Sequence, residues 1–208
     1  MRYLKLLSLI LALFSTSGCN IVVVEEPIGS TPLQIERDEW EGAWTAHSSD
    51  DDRALAAYID VVDAENGVIR LTVIEDDGVY TSRVYLRESG DQMFASIPIT
   101  EKYFEFGLDE QIDPPDEELY LWGRFVKGRG AIFLWWPDVA RFRELANTGQ
   151  LPSRLDPAEQ TANPNGLPTT QDVILGTLTP EHYDLLNSDQ SRVPFEWDEP
   201  AVLIRAGN

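Results

Sequence analysis

Three turn dipeptides, Asn66-Gly67, Asp77-Gly78 and Ser89-Gly90, recur at intervals of 11 and 12 residues, and this spacing constrains the fold more than any other feature. Asn-Gly and Asp-Gly favour tight hairpin turns, whose central residues need positive φ. Stretches of that length between tight turns suit antiparallel neighbours, since parallel strands need a crossover of a dozen or more residues. The residues between the turns agree. Ile59 and Val61, then Ile69, Leu71 and Val73, then Met93, Ala95, Ile97 and Ile99 fall at every second position. Period two puts each set on one face of a strand.

The meander is interrupted at LDEQIDPPDEE, where Pro114 and Pro115 are incompatible with a central strand. It resumes as ELYLWGRF, a glycine turn over Lys127 to Gly130, and AIFLWW. Ile132 to Trp136 is apolar at every position, so this strand is expected to be covered on both faces. The expected cover is the next segment. Pro137 and Asp138 suit a first helical turn, Val139, Phe142, Leu145 and Ala146 form an apolar stripe, and Gly149 follows the end. Residues 150–170 contain four prolines and no period, hence a loop. DVILGTL then reads as a strand, Thr179 as the cap of a second short helix, and EPAVLIRAGN as a closing strand. The fold class is mainly β with two short helices: an antiparallel meander forming a half-barrel or small barrel, with a helix packed over it.

The first twenty residues follow a different logic. Arg2 and Lys5 precede the apolar run Leu6 to Phe14, and small residues lead to Cys19, the only cysteine. Positive, then apolar, then small is the order of an export signal. A membrane-crossing helix needs about 20 apolar residues, roughly twice this run. Removing residues 1–18 also removes two positive charges, taking the formal charge from −20 to −22. So acidic a chain disfavours nucleic acid and anionic lipid head groups as partners. Residues 25–39 carry two prolines, a glycine and mixed charge without a period, which suits a tether. The expected organisation is a cleaved signal over 1–18, an anchored N-terminus and tether over 19–38, and one β-rich domain over 39–208.

Two resemblances add to this. Thr16-Ser17-Gly18-Cys19 resembles the lipobox of bacterial lipoproteins, with Thr16 standing where that family usually has Leu. The resemblance implies cleavage before Cys19, lipid on its sulfur, and, with Asn20 next, residence at the periplasmic face of the outer membrane. The stretch from Glu118 to Leu151 is similar to a pattern of small bacterial envelope lipoproteins, which implies no activity. Gly42-Ala43-Trp44 resembles the Gly-x-Trp that opens the first strand of lipocalins. That likeness implies a small lipocalin-like barrel with Arg205, on the last strand, over the indole of Trp44.

Catalytic constellations are sparse. His47 and His182 stand in no metal-ligand spacing, and no nucleophile elbow or phosphate-cradling glycine loop occurs. Asp50-Asp51-Asp52 lacks the glycine and terminal glutamate of a calcium loop and reads as a solvated loop. No catalytic, cofactor or metal residue is assigned, and Cys19 is the one site, for lipid. The expected function is a lipid-anchored envelope protein with a non-catalytic interaction or structural role. Its expected partners are the membrane, through the anchor, and a protein with a basic surface docking on acidic loops. One alternative is a lipocalin-like module for an apolar small molecule, for which a barrel filled by Trp44, Trp122 and Trp135 leaves no room. The other is a hydrolase using paired carboxylates.

Overall fold

The computed structural model describes residues 21–48, 51–75, 78–99, 118–153, 173–186, 195–198 and 200–207. In chain order these form strands β1 (Val22–Val24) and β2 (Thr31–Pro32), helix α1 (Arg37–Trp40), and strands β3 (Gly42–Ser48), β4 (Asp51–Asp63), β5 (Val68–Glu75), β6 (Gly78–Ser89), β7 (Gln92–Pro98), β8 (Tyr120–Lys127) and β9 (Ala131–Trp135). Helix α2 (Val139–Asn147), strand β10 (Val173–Leu175), helix α3 (Pro180–Leu186) and strand β11 (Ala201–Arg205) follow.

The meander closes. Each strand from β3 to β9 pairs antiparallel with the next, β9 pairs with β11, and β11 returns to β3 with Arg205 opposite Trp44. The result is an antiparallel barrel of eight strands with β10 outside it. The expected mainly β class, small lipocalin-like barrel and outside helix are all present. Helices differ by one, because α1 is a third.

Alternation decides what fills the barrel. Trp44, Ala57, Ile59, Val61, Ile69, Val73, Val84, Leu86, Phe125 and Ile132 point inward and belong to one buried cluster. Eight strands enclose an interior about wide enough for side chains to fill. The inward positions agree with the alternating sets read from the sequence, including Leu71, Met93 and Ile99 at the cluster's margin.

A second buried cluster lies outside the sheet and is built on the opposite faces of the same strands. Phe94 and Trp122 point outward from β7 and β8, and Phe142 of α2, Leu175 of β10, Leu186 of α3 and Phe195 close over them. Asp138 caps α2 by accepting from the Arg141 amide at 3.1 Å. The apolar stripe of α2 faces this cluster as expected, but it covers β8 more than β9. The Phe142 ring meets Trp122 edge-on at 5.3 Å, while Phe133 of β9 stays 37% exposed. Trp122 and Trp135 therefore pack outside the barrel, and of the three tryptophans weighed as a filling that would exclude a ligand only Trp44 lies inside.

The N-terminal segment also differs from its reading as a tether. Val22, Val23 and Val24 are all buried, and Ile28 is 1% exposed. Val23 and Val24 pair antiparallel with Leu121 and Tyr120 of β8, and all three valines pair in parallel with β10. β2 adds two pairings to β6. The mixed composition of 25–39 concealed single buried side chains, Ile28 and Ile35, spaced by turns.

Candidate functional site

Two places concentrate unusual side chains, and the first is the end of the barrel where β3 begins. Helix α1 lays Trp40 across this end, edge-on to Phe125 at 6.0 Å. The indole Nε1 of Trp44 donates to the Trp40 carbonyl oxygen at 3.0 Å. Arg205 Nη2 donates to the Glu41 carbonyl oxygen at 2.7 Å, and its guanidinium carbon lies 5.7 Å from the centre of the Trp44 ring. Gly42 has φ of +132°, where a side chain is strained, which explains the glycine of Gly-x-Trp. The Arg205-over-Trp44 arrangement implied by the lipocalin resemblance is present.

Lys127 ends β8 at the same place. Its ammonium lies 5.4 Å from the centre of the Trp40 ring and 2.6 Å from Glu39 Oε2. The hydrogen bond from Lys127, and then its charge, hold the Glu39 carboxyl below the usual carboxylate range. Together these groups seal the end, because each cation over an indole is also fixed by an oxygen.

The second place is on the outer surface beside α2. Phe195 and Trp197 fold back over β8 and β9. Trp135 Nε1 donates to the Trp197 carbonyl oxygen at 3.1 Å, and the two indoles lie 5.4 Å apart. Phe133 stacks on Trp135 at 6.3 Å with an interplanar angle of 22°. Arg124, opposite Trp135 in the β8–β9 register, places its guanidinium carbon 4.9 Å from the centre of the Trp197 ring. Burial pushes the Arg124 pKa down, and among the described residues its buried Nε has no hydrogen-bond partner. Such a donor costs about 1–3 kcal/mol if left unmatched. This aromatic shelf with one partly buried cation is the most distinctive chemical feature of the described surface.

Of the residues singled out in the sequence, Gly42, Trp44 and Arg205 meet at the first place and Trp135 at the second, whereas the cysteine, histidine and acidic candidates are described at neither. Cys19, the candidate lipid site, and Asp50 lie outside the described residues, as does the acidic loop apart from Glu118. Asp51 and Asp52 begin β4 rather than lying in a loop. His47 sits on β3 opposite Val202 and Ala54. His182 serves α3, its Nδ1 accepting from the Thr179 amide at 2.9 Å. Among the described residues no group of three or more His, Cys, Asp or Glu is placed to hold a metal ion. The sequence reading missed Trp40, Lys127, Arg124 and Trp197. Trp135 and Trp197 are 62 residues apart, and no local spacing links them.

Fold and sites together define a class, a closed antiparallel barrel with a lipocalin-like sealed end and an aromatic outer shelf. Comparison with family models, with curated proteins and with solved structures finds no match in any of the three.

Proposed function

We propose that this chain is a lipid-anchored protein of the bacterial envelope, held through Cys19 at the periplasmic face of the outer membrane, with an interaction or structural role. The observation that carries the non-catalytic part is the filled barrel. Trp44, Ile59, Phe125 and Ile132 occupy the interior and are nearly inaccessible to water, so recognition falls to the outer surface. A formal charge of −20 on the whole chain suits a partner with a basic face. Among the described residues the two carboxyls with a clear shift, Glu39 and Asp63, are held down by Lys127 and by Asn66 respectively. A general acid for glycoside hydrolysis needs the opposite direction.

The anchor is tested by metabolic labelling with a palmitate analogue. Wild type is expected to incorporate label in the outer-membrane fraction and Cys19→Ala to lose it; equal labelling of the two defeats the reading. The lipocalin-like end, with Arg205 over Trp44, favours one second reading, an apolar small molecule held by the barrel. Native mass spectrometry of the unlipidated mature chain tests it, and a stoichiometric copurified mass would make the binder the better account.

A further inference from the structure

We propose that Asn66 is a site of spontaneous covalent modification, attacked at its side-chain carbonyl carbon by the Gly67 amide nitrogen, and that the product unfastens the N-terminal segment at Leu33 and Ile35. This is independent of the lipid anchor and of any partner.

The fold itself requires the reactive pair. Gly67 has φ of +67°, and a β-carbon there would run into the Leu86 carbonyl oxygen and stand 2.9 Å from that of Leu33. The nitrogen that follows Asn66 therefore belongs to a residue with no side chain to hinder attack. Asn66 is exposed, which admits the water that the reaction consumes and lets ammonia leave. Its carboxamide is in use as well, since Nδ2 donates to Asp63 Oδ2 at 2.8 Å.

The step needs no reagent but water. The Gly67 nitrogen gives up its proton to solvent base and bonds to Asn66 Cγ, the Cγ–Nδ2 bond breaks, and Nδ2 leaves as ammonia after taking a proton from water. Water then opens the resulting succinimide. Addition at Cγ gives aspartate, and addition at the main-chain carbonyl carbon of Asn66 gives isoaspartate, in which the backbone runs through the former side chain and is one methylene longer.

Asp63 restrains this step. Departure of Nδ2 forfeits a charge-assisted hydrogen bond to its carboxylate. Its Oδ1 accepts from the Glu65 and Asn66 amides at 3.2 and 3.1 Å, which fixes the backbone leading into the reacting bond. Its negative charge also opposes loss of a proton from a nearby amide. Asn66 in turn is the main cause that holds the Asp63 carboxyl below its usual range, so conversion replaces that donor by a like charge.

The same turn fastens the N-terminal segment. The Ile35 amide donates to the Ala64 carbonyl oxygen at 3.0 Å, the Leu86 amide to that of Gly67 at 2.7 Å, and the Leu33 amide to that of Leu86 at 3.0 Å. A methylene inserted between residues 66 and 67 moves the Ala64 and Gly67 carbonyls relative to each other, and the set can no longer be kept whole. The loosened segment leads into α1, whose Trp40 lies across the end of the barrel.

The purified full chain is kept in mildly alkaline buffer for weeks, and the proteolytic peptide that carries Asn66 is read by mass spectrometry with electron-transfer fragmentation, which separates aspartate from isoaspartate. Both products are expected in the folded protein, forming more slowly than in the chain unfolded in urea. Asp63→Ala is expected to convert about tenfold faster than wild type with near-ultraviolet circular dichroism unchanged. Asp63→Asn, which keeps an acceptor without the charge, is expected to fall between the two, and it carries the comparison alone if Asp63→Ala does not fold. Once isoaspartate has formed, hydrogen exchange at Leu33 and Ile35 should quicken while exchange in β7 and β8 stays unchanged. Asn66→Ser, which lacks the reacting carbonyl, should hold both its mass and its exchange over the same period. A folded protein that keeps Asn66 intact while the urea sample converts overturns the proposal, and so does isoaspartate without faster exchange at Leu33 and Ile35. Equal rates in wild type and the Asp63 variants overturn the restraint assigned to Asp63.

Discussion

Single residues hold this fold at a few points where no other side chain serves. Gly67 has φ of +67°, and a β-carbon there would run into the Leu86 carbonyl oxygen and come within 2.9 Å of that of Leu33. Gly67→Ala is therefore expected to destabilise the protein by more than about 2 kcal/mol, read as a lowered urea midpoint. The neighbouring Asp63 fixes the same turn, its carboxylate accepting from the Glu65 and Asn66 amides and from Asn66 Nδ2. The place of this turn was legible in Asn66-Gly67, but its geometry was not: of the two only Gly67 has positive φ, and the loop runs over residues 64–67 between the paired Asp63 and Val68. Nor was the Arg124–Trp197 contact legible, since neither residue is unusual in its local sequence and each acquires meaning only when Phe195 and Trp197 fold back over β8.

Elements show the same division. The strands with a buried and an open face were visible as alternation, and α2 was visible through its stripe, although Pro137 and Asp138, read as its first turn, lie before it, with Asp138 as its cap. α1 was not, because four residues with one buried side chain, Trp40, display no period. The β1–β10 pair was half visible: Val173–Leu175 reads as a strand, but its partner lies at the other end of the chain. α3 ties this pair down, since the Gly29 amide donates to the Tyr183 hydroxyl at 3.1 Å, across 154 residues. Tyr183→Phe leaves that amide unmatched and is expected to cost about 1–2 kcal/mol. Hydrogen exchange at Gly29 should quicken, while exchange in β4 and β5 should stay unchanged. Equal acceleration in both regions would mean that α3 unfolds only with the whole barrel.

At the scale of the molecule, closure joins distant parts of the chain. The hydrogen bond from Arg205 to the Glu41 carbonyl spans 164 residues, and β3 cannot complete its pairing until β11 has been made. Loop closure of that size must precede the contacts that reward it, so refolding is expected in the range of milliseconds to seconds or slower. Stopped-flow tryptophan fluorescence checks this, and a dominant phase of microseconds would contradict it. The hairpins from β4 to β7 are local and were read directly from the turns, whereas the decision between half-barrel and closed barrel lay in β11, a strand whose sequence names no partner.

β1 and β9 share one edge of β8, and β7 takes the other. The second half of the shared edge is capped by β9, but Tyr120 and Leu121 depend on β1, and β1 in turn on β10. A chain trimmed by a protease past Val24 would present bare amides and carbonyls there, beside apolar side chains, as a template for strand addition by a neighbour. Val22 to Val24 thus keep one molecule from growing into a polymer.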